Sequence, residues 1–147
     1  MRTIPFLLFF LSLVSLASGQ LASLQIDSVS PPGAQAGTTL KVSLNGQDLD
    51  ELTALTFTHS GISAKHVQGS QFEVTVAPGV PADIYEVRVA GRFGLSNARR
   101  FAVSSFPQVS EADNQAPEKA MPLATNTWVN GTAGAEIADY YKFTATK

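Results

Sequence analysis

The stretch Gln71–Gly91, QFEVTVAPGVPADIYEVRVAG, decides the fold class. It holds two runs of strict alternation. Phe72, Val74 and Val76 are separated by Glu73 and Thr75; Tyr85, Val87 and Val89 are separated by Glu86 and Arg88. Successive side chains leave opposite faces of a strand, so a period of two with β-branched and aromatic residues marks a half-buried strand. Pro78-Gly79 and Pro81 break the chain between the runs. Both strands therefore turn an apolar face to one core, either as a hairpin or from two facing sheets.

The same pattern continues on both sides. Leu24–Val29 is a strand that ends at Ser30-Pro31-Pro32-Gly33, because two prolines remove two backbone donors. Thr38–Leu44 follows, with Leu40, Val42 and Leu44 on one face, and Asn45-Gly46 is read as a turn. Leu55–Thr58, Ile62–Val67 and Arg100–Val103 are further strands, the last with Phe101 and Val103 inward; Ser60-Gly61, Gly69 and Ser96-Asn97 are turn signals. No window has helical periodicity. About seven short strands at this spacing predict an all-β fold, an antiparallel sandwich over residues 20–104.

Residues 1–19 stand apart. Arg2 precedes an uncharged Leu/Phe-rich run from Ile4 to Leu16, and Ala17-Ser18-Gly19 is a small-x-small site. This is the three-part pattern of a secretory signal peptide, with cleavage expected before Gln20. The run is shorter than the roughly 20 apolar residues of a membrane span. The expected location is secreted, periplasmic or cell-surface, with no membrane span once the signal peptide is removed. Loss of Arg2 leaves nine Lys+Arg against 12 Asp+Glu, a net charge of −3. That offers no basic field for nucleic acid. There are no cysteines, so packing alone must hold the fold.

Residues 105–122 read as a linker, with Pro107, Pro117, Pro122 and a polar centre, and room for one helical turn at Pro117–Ala120. Order returns over residues 123–147. Thr127–Val129 and Asp139–Ala145 are strands, Asn130-Gly131 is the turn expected between them, and Tyr141 and Phe143 are inward by alternation. Trp128 is expected in or near a second core. The residues from Ser110 on are too few for an independent cysteine-free core, so either the natural protein is expected to continue past Lys147 or the last strands pack onto the first domain.

Two resemblances fit these readings. Ile26-x-x-Val29-Ser30-Pro31-x-Gly33, Gly37-Thr38-x-Leu40-x-Val42, Gly46-x-x-Leu49, Tyr85-x-Val87-x-Val89 and Phe101-x-Val103 resemble an IPT/TIG-type immunoglobulin-like domain. Glu111-x-Asp113-Asn114, Pro117, Ala120-x-Pro122, Val129-Asn130-Gly131-Thr132 and Asp139-Tyr140-Tyr141-x-Phe143 resemble the first half of a bacterial pre-peptidase C-terminal domain, which implies an incomplete, jelly-roll-like second sandwich over residues 123–147. The second resemblance implies a possible calcium ion, bound through Glu111, Asp113, Asn114, Glu136 and Asp139. Calcium takes six to eight hard oxygen ligands, which such residues and backbone carbonyls supply.

No catalytic constellation is legible. His59 and His66 lack ligand or triad partners at a recognisable spacing, no serine lies in a Gly-x-Ser-x-Gly elbow, and no phosphate loop exists. Arg88, Arg92, Arg99 and Arg100 form at most a modest basic strip offset by Glu73 and Glu86. The function expected is an exported, non-catalytic binding or spacer module of a cell-surface or extracellular bacterial protein, its partner a protein or polysaccharide. The alternative is the N-terminal accessory region of a larger secreted peptidase or other hydrolase, with catalysis beyond residue 147.

Overall fold

A computed structural model describes residues 21–132, 134 and 136–145; the signal-peptide reading of residues 1–19 lies outside them. Nine strands build the first unit: β1 (Gln25–Ser30), β2 (Gly33–Gln35), β3 (Thr39–Gln47), β4 (Ala54–Phe57), β5 (Ile62–Gln68), β6 (Gln71–Val76), β7 (Asp83–Gly91), β8 (Gly94–Leu95) and β9 (Arg99–Ser104). One sheet has the order β1-β3-β6-β5 and the other β2-β9-β7-β4, with β8 beside β7. All pairs are antiparallel except β2 with β9. This is the immunoglobulin constant-type arrangement, with the entering chain shared between the sheets. The two alternating runs that announce the fold, β6 and β7, lie in different sheets and face each other rather than forming a hairpin.

The core lies between the sheets. Ile26, Val42, Phe72, Val74, Val76, Val87, Val89, Phe101 and Val103 are fully buried, and Glu73, Thr75 and Glu86 are exposed, as alternation requires. Phe57 meets Phe101 edge to face, ring centroids 5.2 Å apart, the geometry that aromatic quadrupoles favour. Tyr85 is half-buried, and its hydroxyl donates to the Pro81 carbonyl at 2.9 Å. A tyrosine near the start of this strand, bonded back to the chain just upstream, is the tyrosine corner of immunoglobulin-like sandwiches.

Two turn readings are corrected. Asn45-Gly46 does not turn the chain: β3 runs through it, and Ile26 pairs with Gly46. The glycine is needed for space. A Cβ at Gly46 would lie 2.0 Å from the Gln25 carbonyl oxygen, because β1 is drawn close at the bulge between Ile26 and Ser28. Ser96-Asn97 is a latch between the sheets. Ser96 is buried, and its Oγ accepts from Val89 N–H at 3.0 Å. Asn97 crosses to the edge of β1, where its Oδ1 accepts from Ile26 N–H at 2.7 Å and its Nδ2 donates to Ile26 O at 3.1 Å. Both polar groups of a buried edge residue are thus satisfied by one side chain, which removes a desolvation penalty of about 1–3 kcal/mol for each.

Beyond Ser104 come β10 (Gln108–Ser110), a single 3₁₀ turn (Pro117–Lys119), β11 (Met121–Pro122), β12 (Trp128–Asn130) and β13 (Tyr141–Lys142). β10 pairs with β12 and β11 with β13, both in parallel. The stretch expected as linker therefore supplies a strand to each of two small sheets. Among the described residues these two-stranded sheets are all the strand structure beyond Ser104. Asn130-Gly131 is not a hairpin turn, since the strands flanking it pair elsewhere. Trp128, Tyr141 and Phe143 do not point into a core; they are 41%, 39% and 72% exposed. A two-stranded sheet has no second layer to bury its faces.

Candidate functional site

Of the five positions implied as calcium ligands, Glu111 and Asn114 come together at Tyr141, and Asp139 acts on the same phenol. Glu111, at the end of β10, is held by two donors: Thr132 N–H reaches its Oε2 at 3.0 Å, and the Tyr141 hydroxyl bonds its Oε1. Tyr141, read from sequence as a core residue, is thus a polar partner. Gly131 allows the approach, because a Cβ there would lie 2.4 Å from Glu111 Oε2. The Tyr141 hydrogen bond, then that from Thr132 N–H, holds the Glu111 carboxyl below its ordinary pKa, and the same bond raises the Tyr141 phenol.

Asp113 turns away, its Oδ2 2.8 Å from Lys119 Nζ. Asn114 is buried; its Nδ2 donates to Tyr140 O at 3.2 Å and its carbonyl accepts Tyr140 N–H at 2.9 Å, while its Oδ1 has no partner. Glu136 is exposed at φ 61°, and Asp139 is half-buried. Among the described residues no three His, Cys, Asp or Glu side chains converge. Glu111 accepts one hydrogen bond on each oxygen, Asp113 is ion-paired, and Asn114 Oδ1 is an amide oxygen with no protein partner.

A pH dependence follows from the depressed carboxyl. Its ionised form is favoured by the folded state, so this contribution is complete above the ordinary Glu range and is lost as pH falls through the lowered folded pKa. In an NMR titration, Tyr141→Phe is expected to raise the Glu111 midpoint toward its ordinary value. Millimolar calcium is expected to leave the wild-type midpoint unmoved. An unchanged midpoint in the variant would rule out the Tyr141 bond as the cause of the shift, and a calcium-dependent midpoint would support the metal reading.

Both histidines are committed to turns. His59 Nδ1 accepts Gly61 N–H at 3.0 Å, and its ring meets Tyr85 at 5.2 Å. His66 Nε2 lies 2.8 Å from Gly69 O, and its ring lies against Phe72 at 5.0 Å. The arginines form no continuous strip. Arg88 Nη2 lies 3.6 Å from Glu86, Arg92 Nη1 lies 3.2 Å from Glu51, and Arg99 bonds Ile26 O beside Asp27. A shallow groove of about 460 Å³ between β7 and β9 holds Arg99 and Arg100 beside exposed Ile84.

Two more open cavities sit where the sandwich meets the C-terminal strands. One, of about 360 Å³, lies between Ser30–Pro32 and the segments 110–112 and 130–132. The other, of about 300 Å³, lies between Leu40, Ala34 and β10. This junction is silent in the sequence, because Gln108, Ser110 and Asn130 belong to polar stretches with the composition of linker and turn. A parallel pairing twenty residues apart leaves no local signal.

Among the described residues no helix is long and apolar enough to cross a membrane. No protein-family model matches the chain, and no curated protein matches it. Among solved structures, the chain is similar to SGBP-B of the Bacteroides ovatus mixed-linkage glucan utilization locus, determined in complex with a mixed-linkage heptasaccharide. The identity is 20% and the TM-score 0.42, over 65% of this chain and 24% of that one. The chain thus spans about a quarter of the length of the structure it matches.

Proposed function

We propose that the chain is an exported, non-catalytic binding module of a cell-surface or extracellular bacterial protein, and that its partner is a polysaccharide. The observation that carries this reading is the exposure of Trp128 and Tyr141 on the C-terminal strands and of Tyr140 beside them. Aromatic rings with a polar edge are costly to leave in water and serve well where one face is apolar and the other wet. A sugar ring has that character, with C–H faces and a rim of hydroxyls. The amides and hydroxyls of Gln108, Ser110 and Asn130 on the neighbouring strands favour a hydroxyl-rich partner over a purely apolar protein face. The commitment of both histidines to turn hydrogen bonds supports a module that binds without turnover.

The test is affinity gel electrophoresis of the protein through soluble polysaccharides, paired with a reducing-end assay. Retardation by at least one polysaccharide without release of reducing ends is expected. Unretarded migration in every gel would sink the binding reading, and liberated reducing ends would sink the non-catalytic one.

A further inference from the structure

The two junction cavities are parts of one groove, since both are lined by Pro31, Ser110 and Asn130. Their volumes, about 360 and 300 Å³, are each in the range of ligand clefts. An elongated groove with two successive bays suits a chain of linked units better than one compact molecule.

The strand register sets the chemistry of one side. Gln108 pairs with Trp128 and Ser110 with Asn130. Alternation puts these four side chains on one face of the β10–β12 sheet and Val109 and Val129 on the other. Asn130 Nδ2 donates to Gln108 Oε1 at 3.0 Å, which fixes both amides. Gln108 Nε2 is then left buried with no acceptor. An orphaned buried donor is rare in folded proteins and calls for a partner. Gln108 lines the groove, so a turn of this amide toward the groove would let an oxygen of a bound ligand supply that acceptor. Trp128, 41% exposed, stands beside Gln108 on the same face, and Pro31 and Pro32 offer apolar surface opposite.

The groove is also nearly uncharged. No Lys or Arg lines either bay, and its one carboxylate, Glu111, already accepts from Thr132 N–H and Tyr141 OH. An anionic chain would find no countercharge there. We infer that this groove holds a neutral polysaccharide, hydrogen-bonded by Gln108, Ser110 and Asn130, which line it, with Trp128 at its margin as the register partner of Gln108. The inference rests on the binding reading above and adds the site and the charge class of the ligand.

The experiment uses the full chain in gels containing soluble β-glucan, xyloglucan or galactomannan, with a polyuronate as charged comparison. Trp128→Ala and Ser110→Arg are measured beside Arg100→Ala, which alters only the separate groove between β7 and β9. Ser110 is exposed, so Ser110→Arg fills the groove from the surface and keeps the strand pairing if Trp128→Ala loosens it. Melting temperatures check folding. The expected result is retardation by a neutral polysaccharide, weakened roughly tenfold or more by Trp128→Ala and by Ser110→Arg, and unchanged by Arg100→Ala. Wild-type retardation that survives both groove variants, or that Arg100→Ala abolishes, overturns the groove and leaves the binding reading standing. Retardation by polyuronate alone overturns the neutral class. No retardation in any gel overturns the binding reading, and the groove with it.

Discussion

Val87→Asp is expected to leave the first sandwich unfolded at room temperature. Val87 lies at the middle of β7, paired with Phe57 on one side and Arg99 on the other, and it is fully buried. An aspartate there loses the apolar burial of the valine and also places a carboxylate among aliphatic side chains. A buried charge without a partner costs several kcal/mol even after relaxation. A domain of this size has about 5–15 kcal/mol in total. Val87→Ala calibrates the result, because it removes only methyl groups, at about 0.8 kcal/mol each plus a cavity term. Circular dichroism and thermal melts should show a lowered transition for Val87→Ala and none for Val87→Asp. A Val87→Asp protein with the wild-type melting temperature would reverse the inward assignment of β7, and with it the register of β4, β7 and β9.

Gly46→Ala is the second large effect, and it separates two accounts of one dipeptide. If Asn45-Gly46 made a hairpin turn, Asn45→Ala would be costly, because asparagine tolerates the positive φ such turns need. With both residues inside β3, Asn45→Ala is expected to be close to neutral, since that side chain is exposed. Gly46→Ala must instead push β1 away, because the new Cβ would sit 2.0 Å from Gln25 O. Overpacking of this kind costs about 1–3 kcal/mol, and each kcal/mol lowers the melting temperature of a small domain by about 4–8 °C. A melt in which Asn45→Ala is the more harmful change would return the turn reading.

The first sandwich was legible because its signal is local. Phe72-Val74-Val76 and Tyr85-Val87-Val89 show the period of two within six residues, and the structure buries the expected face of each. What sequence could not show was the partner of each strand. β6 and β7 are neighbours in the chain, yet they sit in different sheets. Both Asn-Gly dipeptides were read as turns for the same reason, that Asn-Gly tolerates positive φ. In both, the glycine instead makes room for a neighbour, the Gln25 carbonyl at Gly46 and the Glu111 carboxylate at Gly131. Close approach by a distant segment leaves no trace in the dipeptide itself. Asn97 was hidden in the same way, since its partner Ile26 lies 71 residues away.

The candidate site was legible only in part. The sequence singled out Glu111 and Asn114, and the structure engages both. It also offered Asp113 as a ligand, but that carboxylate answers to Lys119, six residues on. Tyr141 was assigned to a core by alternation, a rule that holds only where a second layer covers one face of the strand. On a two-stranded sheet both faces stay open, and the phenol turned to the nearest carboxylate.

The Asn97 latch also bears on self-association. A sheet edge with free N–H and C=O groups is a template for another molecule's strand. At the outer edge of β1, the Asn97 amide occupies both groups of Ile26 as a foreign strand would. The other three margins are blunted differently. β5 carries Lys65 and an irregularity between His66 and Gln68, β2 is three residues long, and β4 is four. Each edge of the sandwich thus carries a feature that discourages addition of a foreign strand.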